Sequence, residues 1–261
     1  MIVDALFALA GAVRVFSADY CADQLVLALA DPGQIAALSV DAEKDFSYLR
    51  ANAEGLPQAR ADAEQVIARN PDIVIRYWGG DAARLQRLGV TVVTLDYAAD
   101  FEAVKANVLI AAKAMGQQRR GELLVREIAA RLLALSSRGR LSIAGLYVTP
   151  GGVTAGKGTM IDAIFTAAGV GNVEAERGLS YWPPLSAEAL VANPPRFIVT
   201  GFFSANSERV NHWSAARHPA LRNVIERTPN VGLAADVLAC PNWFSLDAAE
   251  AVRNAAEKLN D

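Results

Sequence analysis

Asp62-Ala63-Glu64-Gln65-Val66-Ile67-Ala68-Arg69-Asn70-Pro71-Asp72-Ile73-Val74-Ile75 places a helix start, a helix stop and a strand in one short run. Asp62 stands where an N-cap accepts from free backbone amides, and Glu64 puts a carboxylate at the positive end of the helix dipole. Pro71 ends the helix, and Ile73-Val74-Ile75 is an unbroken β-branched run of the kind buried on both faces of a parallel sheet. The same order recurs without a gap at a constant offset, as Ser186-Ala187-Glu188-Ala189-Leu190-Val191-Ala192-Asn193-Pro194-Pro195-Arg196-Phe197-Ile198-Val199. Local helix physics alone can put an acid in a first turn. Here helix, stop and strand repeat together, which reads as a duplicated lobe.

Outward from these copies, apolar β-branched runs alternate with helical patterns along the whole chain, the signature of an α/β protein. Strands are expected at 13–18, 35–39, 72–77 and 91–95, with helices near 22–29 and 83–88. A second set of strands falls at 142–148, 196–201 and 231–235, with helices near 160–168 and 186–192. Two Rossmann-like lobes with mainly parallel sheets follow, at 13–105 and 140–261. Residues 106–139 form a helical link broken at Gly116, whose second part carries Leu124, Ile128, Leu132 and Leu135 on one face. A strut of this kind bends far less than a Gly/Ser linker, so only a small rotation between the lobes is expected.

The chain has 261 residues, 52% of them hydrophobic and 20% charged, with a net charge of −3. That is a globular composition with room for two cores, and it lacks the basic field that nucleic acid demands. No apolar run approaches the roughly 20 residues of a membrane span. Residues 1–12, MIVDALFALAGA, resemble the tail of a secretory signal that lacks its positive start, though Asp4 suits that reading poorly and a frayed first helical turn fits as well. The two cysteines, Cys21 and Cys240, leave two readings open: a bridge in an oxidising compartment, or two separate buried thiols.

Enzyme signatures are sparse. Gly151 to Lys157 has the spacing of a phosphate loop, but Gly158 occupies the place of the magnesium-binding Ser or Thr. Neither a nucleophile elbow nor a dinucleotide fingerprint after the first strand is found. His212 and His218 share one polar segment without the further ligands a transition metal requires, so no metal site and no cofactor are expected. What stands out is a set of aromatic and amide residues after strands or in Pro/Gly-rich loops: Tyr20, Tyr77, Trp78, Tyr181, Trp182, Phe202, Phe203, Asn242, Trp243 and Phe244. Any one of them reads equally well as core packing. As a group, beyond the carboxyl ends of parallel strands, they suit a broad, flat, partly apolar ligand held between two lobes.

Several stretches then resemble a known family: Asp19-Tyr20-Cys21-Ala22-Asp23-Gln24-Leu25, 64–75, Leu88-Gly89-Val90-Thr91-Val92-Val93, 169–173, 188–199 and Arg217-His218-Pro219-Ala220-Leu221. In order and spacing they resemble the substrate-binding proteins of ABC importers for vitamin B12, ferric siderophores and haem, the two-lobed class with a helical backbone. The resemblance implies a monomeric, non-enzymatic periplasmic protein that delivers a metal chelate or corrinoid to a membrane permease and its ATPase. It implies that Glu64 and Glu188 dock on permease arginines. It puts Tyr77, Trp78, Trp182, Asn242, Trp243 and Phe244 in ligand-binding loops, to which their strand-end positions add Tyr20 and Phe202. Gln58 departs from the B12-binding branch, which tends to have an aromatic there. Arg50, Arg60 and Arg76 are candidates for neutralising an anionic chelate. Siderophore, cobalamin and haem all stay open, as do two other readings: an enzyme using Cys21, and a sensor of the same fold.

Overall fold

The computed structural model describes residues 12–202 and 219–259. His212, His218 and Phe203 lie outside the described residues.

The first lobe runs β1 (Val15–Ser17), α1 (Tyr20–Leu29), β2 (Ile35–Ala37), α2 (Arg50–Ala53), α3 (Ala63–Arg69), β3 (Ile73–Arg76), α4 (Ala82–Arg87) and β4 (Thr91–Thr94). Its four strands lie in the order β2-β1-β3-β4, and every pairing is parallel. After the linking helices α5 (Phe101–Ala114) and α6 (Gln118–Ser137) the pattern repeats. The second lobe runs β5 (Ala144–Val148), α7 (Met160–Ala167), β6 (Gly171–Asn172), α8 (Val173–Glu176), α9 (Ala187–Ala192), β7 (Phe197–Gly201), α10 (Pro219–Arg227) and β8 (Asn230–Leu233). Its order, β6-β5-β7-β8, is again all parallel. The two copies of the opening motif therefore hold the same place: α3 leads into β3, and α9 leads into β7. The short α11 (Ala235–Leu238) and the closing α12 (Ser245–Glu257) complete the chain.

Local chemistry accounts for the helix ends. Asp62, Asp81, Asp100 and Thr159 each accept from the backbone amide three residues on, capping α3, α4, α5 and α7. Asn70 takes the left-handed conformation (φ 46°) at the end of α3, just before Pro71. The strand missing from the sequence reading is β6, because two residues, Gly-Asn, carry no periodic signal.

Gly116 (φ 71°) turns the chain so that α6 folds back along α5. Gly121 lets the helices touch, since a Cβ there would collide with that of Ala112. Twenty residues of α6 span about 30 Å. Near its start Arg120 Nη1 donates to the Leu29 carbonyl of the first lobe at 2.8 Å. Farther along, Arg131 bonds Asp247 (2.6 Å) and Glu250 (2.9 Å) on α12, and Arg138 pairs with Glu257. Ile128 and Leu135 bury the apolar face of α6, with Leu124 and Leu132 packed beside them. They belong to one continuous core cluster that extends from α1 in the first lobe to α7 and α12 in the second.

Candidate ligand-binding surface

Asp19 organises the carboxyl end of the first sheet. Its Oδ1 accepts from the Ala22 amide at 3.0 Å and caps α1. Its Oδ2 accepts from three successive amides, Tyr77 (2.8 Å), Trp78 (3.0 Å) and Gly79 (2.9 Å). One buried carboxylate thus holds the turn after β3 against the turn after β1. Gly79 is required by this approach, since a Cβ would collide with the Ala18 carbonyl.

The aromatics on this frame touch one another. The Tyr20 ring meets Trp78 edge-on at 5.3 Å and Phe46 at 4.9 Å, and Tyr77 lies 6.0 Å from Trp78. Burial pushes the Tyr77 phenol far above its ordinary range. Tyr20 is also raised, by burial first and then by Asp19 and Asp41. Trp78 remains 52% exposed.

In the second lobe the loop 179–185 is zipped to the segment after β5. Lys157 N bonds Leu179 O (3.0 Å), Tyr181 N bonds Lys157 O (2.8 Å), Gly156 N bonds Tyr181 O (2.8 Å) and Thr154 N bonds Pro183 O (3.0 Å). On this ladder Tyr181 adopts φ 59° and is 69% exposed, while Trp182 is 48% exposed. Phe202 follows β7 with φ 63° and is half-buried.

Asn242, Trp243 and Phe244 lie deeper. All three are buried, and Phe244 stacks on Tyr48 of the first lobe with centroids 4.4 Å apart and planes 12° off parallel. The Tyr48 hydroxyl donates to Asp247 at 2.7 Å, and burial together with that carboxylate pushes the phenol up to about 12. Phe244 and Asp247 thus pack against Tyr48 of the first lobe. Among the described residues, the expected set thus divides into exposed Trp78 and Trp182, half-buried Tyr20, Tyr77 and Phe202, and a buried group at 242–244.

Cys21 and Cys240 are bonded to each other, with Cα atoms 5.4 Å apart, so the first lobe is covalently tied to the second. The reading of two separate thiols is thereby corrected, and so is that of Cys21 as a free nucleophile: its sulfur is buried and already bonded. Arg50 is also taken, paired with Asp236 across the lobes at 2.9 Å. Arg76 donates to the Trp78 carbonyl at 2.6 Å and braces the same turn as Asp19. Arg60 is exposed, and Gln58 donates to Glu43 at 2.7 Å. Phe46 and Tyr97 were not singled out from sequence. Tyr97 is 53% exposed in the segment after β4, its hydroxyl 3.5 Å from the Met160 amide at the start of α7. The strand-end rule would have found it.

The family model described as "Periplasmic binding protein" matches residues 15–213. The chain is 27% identical over 145 residues to the vitamin B12-binding protein of Salmonella typhi, a match that covers 52% of this chain and spans about half (53%) of that relative. Among solved structures, the periplasmic haem-binding protein RhuT of Roseiflexus sp. RS-1 superposes with a TM-score of 0.71 at 23% identity, over 94% of this chain and 100% of that one. The periplasmic haem-binding protein HutB of Vibrio cholerae gives 0.73 at 18% identity, over 94% and 98%. The periplasmic vitamin B12-binding protein BtuF of the same organism gives 0.69 at 20% identity, over 94% and 96%. At such identities the likeness establishes the two-lobed fold.

Proposed function

The chain belongs to the periplasmic binding protein family, and on that premise we propose that it is the substrate-binding subunit of an ABC importer, holding one large, flat metal chelate or corrinoid between its lobes. A ferric siderophore, cobalamin and haem are the three ligand classes in view. Affinity comes from excluding water between aromatic faces and a rigid ligand, and ATP hydrolysis belongs to a partner subunit. The observation that carries this reading is the exposure of an indole in each lobe, Trp78 and Trp182, on turns braced by backbone hydrogen bonds. Tyr20, Tyr77 and Phe202 extend the two surfaces. The disulfide across the lobes supports a periplasmic location, because such bonds persist in oxidising compartments.

Docking on the permease is assigned to Glu64 and Glu188. Each is exposed, each occupies the same place in its lobe, and neither has a partner among the described residues. One helical turn on from each acid is an exposed aliphatic, Ile67 (51%) and Val191 (49%).

Titration of the intrinsic tryptophan fluorescence with haemin, cyanocobalamin and a panel of ferric siderophores tests the ligand assignment. One class is expected to quench saturably, and Trp78→Ala and Trp182→Ala should each weaken its binding by about tenfold, or about 1.4 kcal/mol. Absence of saturable binding by every class, or full affinity in both variants, would refute the reading.

A further inference from the structure

We propose that the tripeptide Asp19-Tyr20-Cys21 couples the disulfide to the ligand surface, so that the Cys21–Cys240 bond positions Trp78 as well as joining the lobes. The proposal rests on Trp78 being a ligand contact, as proposed above.

Three consecutive residues make three different attachments. The Asp19 carboxylate holds the amides of Tyr77, Trp78 and Gly79 at 2.8–3.0 Å. The Tyr20 ring lies edge-on against Trp78 at 5.3 Å. Cys21 is bonded to Cys240, at the start of the loop that carries the buried Trp243 and Phe244 in the second lobe. Asp19 also caps the helix in which Tyr20 and Cys21 form the first turn, through its 3.0 Å bond from Ala22. A pull applied at Cys21 is therefore delivered within one rigid helical turn to the carboxylate that holds the Trp78 backbone. No flexible link intervenes: Asp19 and Cys21 are both buried, and the turn they hold has no room for a side chain at Gly79.

The other ties between the lobes near this point are of another kind. Arg50–Asp236 is a partly exposed ion pair, and Tyr48–Asp247 is a single hydrogen bond. Contacts of that type yield readily under thermal motion. With the disulfide open, the first turn of α1 is referenced to the second lobe only through the shared core and these weaker contacts, and the position of Trp78 relative to the opposite wall loosens. A ligand must then order that wall on binding, which weakens affinity even though no contact has been removed.

The test uses the full chain in three forms: oxidised, reduced with a phosphine and reoxidised. Amide hydrogen exchange is read at Tyr77, Trp78 and Gly79, and the dissociation constant is measured for haemin, cyanocobalamin and a ferric hydroxamate. Reduction is expected to speed exchange at these three amides at least tenfold and to weaken the bound probe about tenfold, with both effects reversed on reoxidation. Asp19→Asn, with its disulfide intact, should reproduce both effects, and this variant decides the matter if the reduced protein unfolds. Unchanged exchange at 77–79 in folded reduced protein overturns the coupling, as does wild-type affinity in Asp19→Asn. If none of the probes binds the oxidised chain, the ligand reading of Trp78 fails, while the exchange data still decide whether disulfide and turn are coupled.

Discussion

Asp23 lies two residues after Cys21 on α1, fully buried, and receives hydrogen bonds from the Ser39 amide (2.9 Å) and hydroxyl (2.6 Å). Burial outweighs those bonds and lifts its carboxyl to about 7. Since the folded protein holds this proton more tightly than the unfolded chain, whose Asp titrates near 4 (~3.9), the contribution to stability is complete below about pH 4. It is lost as pH rises through about 7, to a total on the order of 4 kcal/mol. Asp23→Asn should remove the slope, so that the urea midpoint of the variant exceeds that of the wild type at pH 8 while the two converge near pH 4. Parallel midpoints from pH 4 to 8 would show that Asp23 does not titrate in this window. Trp78 was legible because it follows a β-branched run directly, and the strand-end rule applies to it. Phe244 follows no strand, and its partner Tyr48 is far away in sequence, so its burial could not be read locally. Asp19 caps α1, which begins ahead of the helix expected at 22–29, and nothing in its neighbourhood indicates that it also holds amides near position 78.

Among the elements, α3 and α9 bear on the proposed docking. Their inner positions, Val66 and Leu190, are buried as any helix on a sheet requires. Their outer positions match as well, Glu64 with Glu188 and Ile67 with Val191, and packing gives no reason for that. Exposed aliphatics beside acids that are unpaired among the described residues suit the proposed partner, one that offers a cation next to an apolar surface, twice. Glu64→Arg and Glu188→Arg should each slow ligand delivery about tenfold in proteoliposomes containing the permease and its ATPase, with the ligand dissociation constant unchanged. Full transport by the double variant would remove both residues from the docking surface. These elements were readable in advance because cap, acid, apolar stripe, proline and strand all act within a few residues. The two-residue β6 and the closeness of α5 to α6 at Gly121 depend on tertiary contact, and only the three-dimensional fold reveals them.

For the whole molecule the question is how far the lobes can move. A connecting helix implies restraint, and the structure adds ties that the sequence left open or did not suggest. The disulfide closes a loop of 219 residues, which in the chain-entropy picture contributes on the order of 5 kcal/mol. The partly exposed Arg50–Asp236 pair contributes less than about 1 kcal/mol, so the covalent tie and the shared core dominate. Arg131 fastens the middle of α6 to α12 by two ion pairs, and Arg120 fastens its start to the end of α1. Rotating one lobe against the other would have to bend α6, open the core cluster or displace the Tyr48–Phe244 stack. Small-angle scattering should therefore give a radius of gyration near 18 Å, the value for a compact chain of this length, both without ligand and at saturation. The full scattering curves of the two states should superpose. A ligand-bound structure related to the free one by a large rigid-body rotation of the lobes would mean that helix, disulfide and common core together fail to hold them.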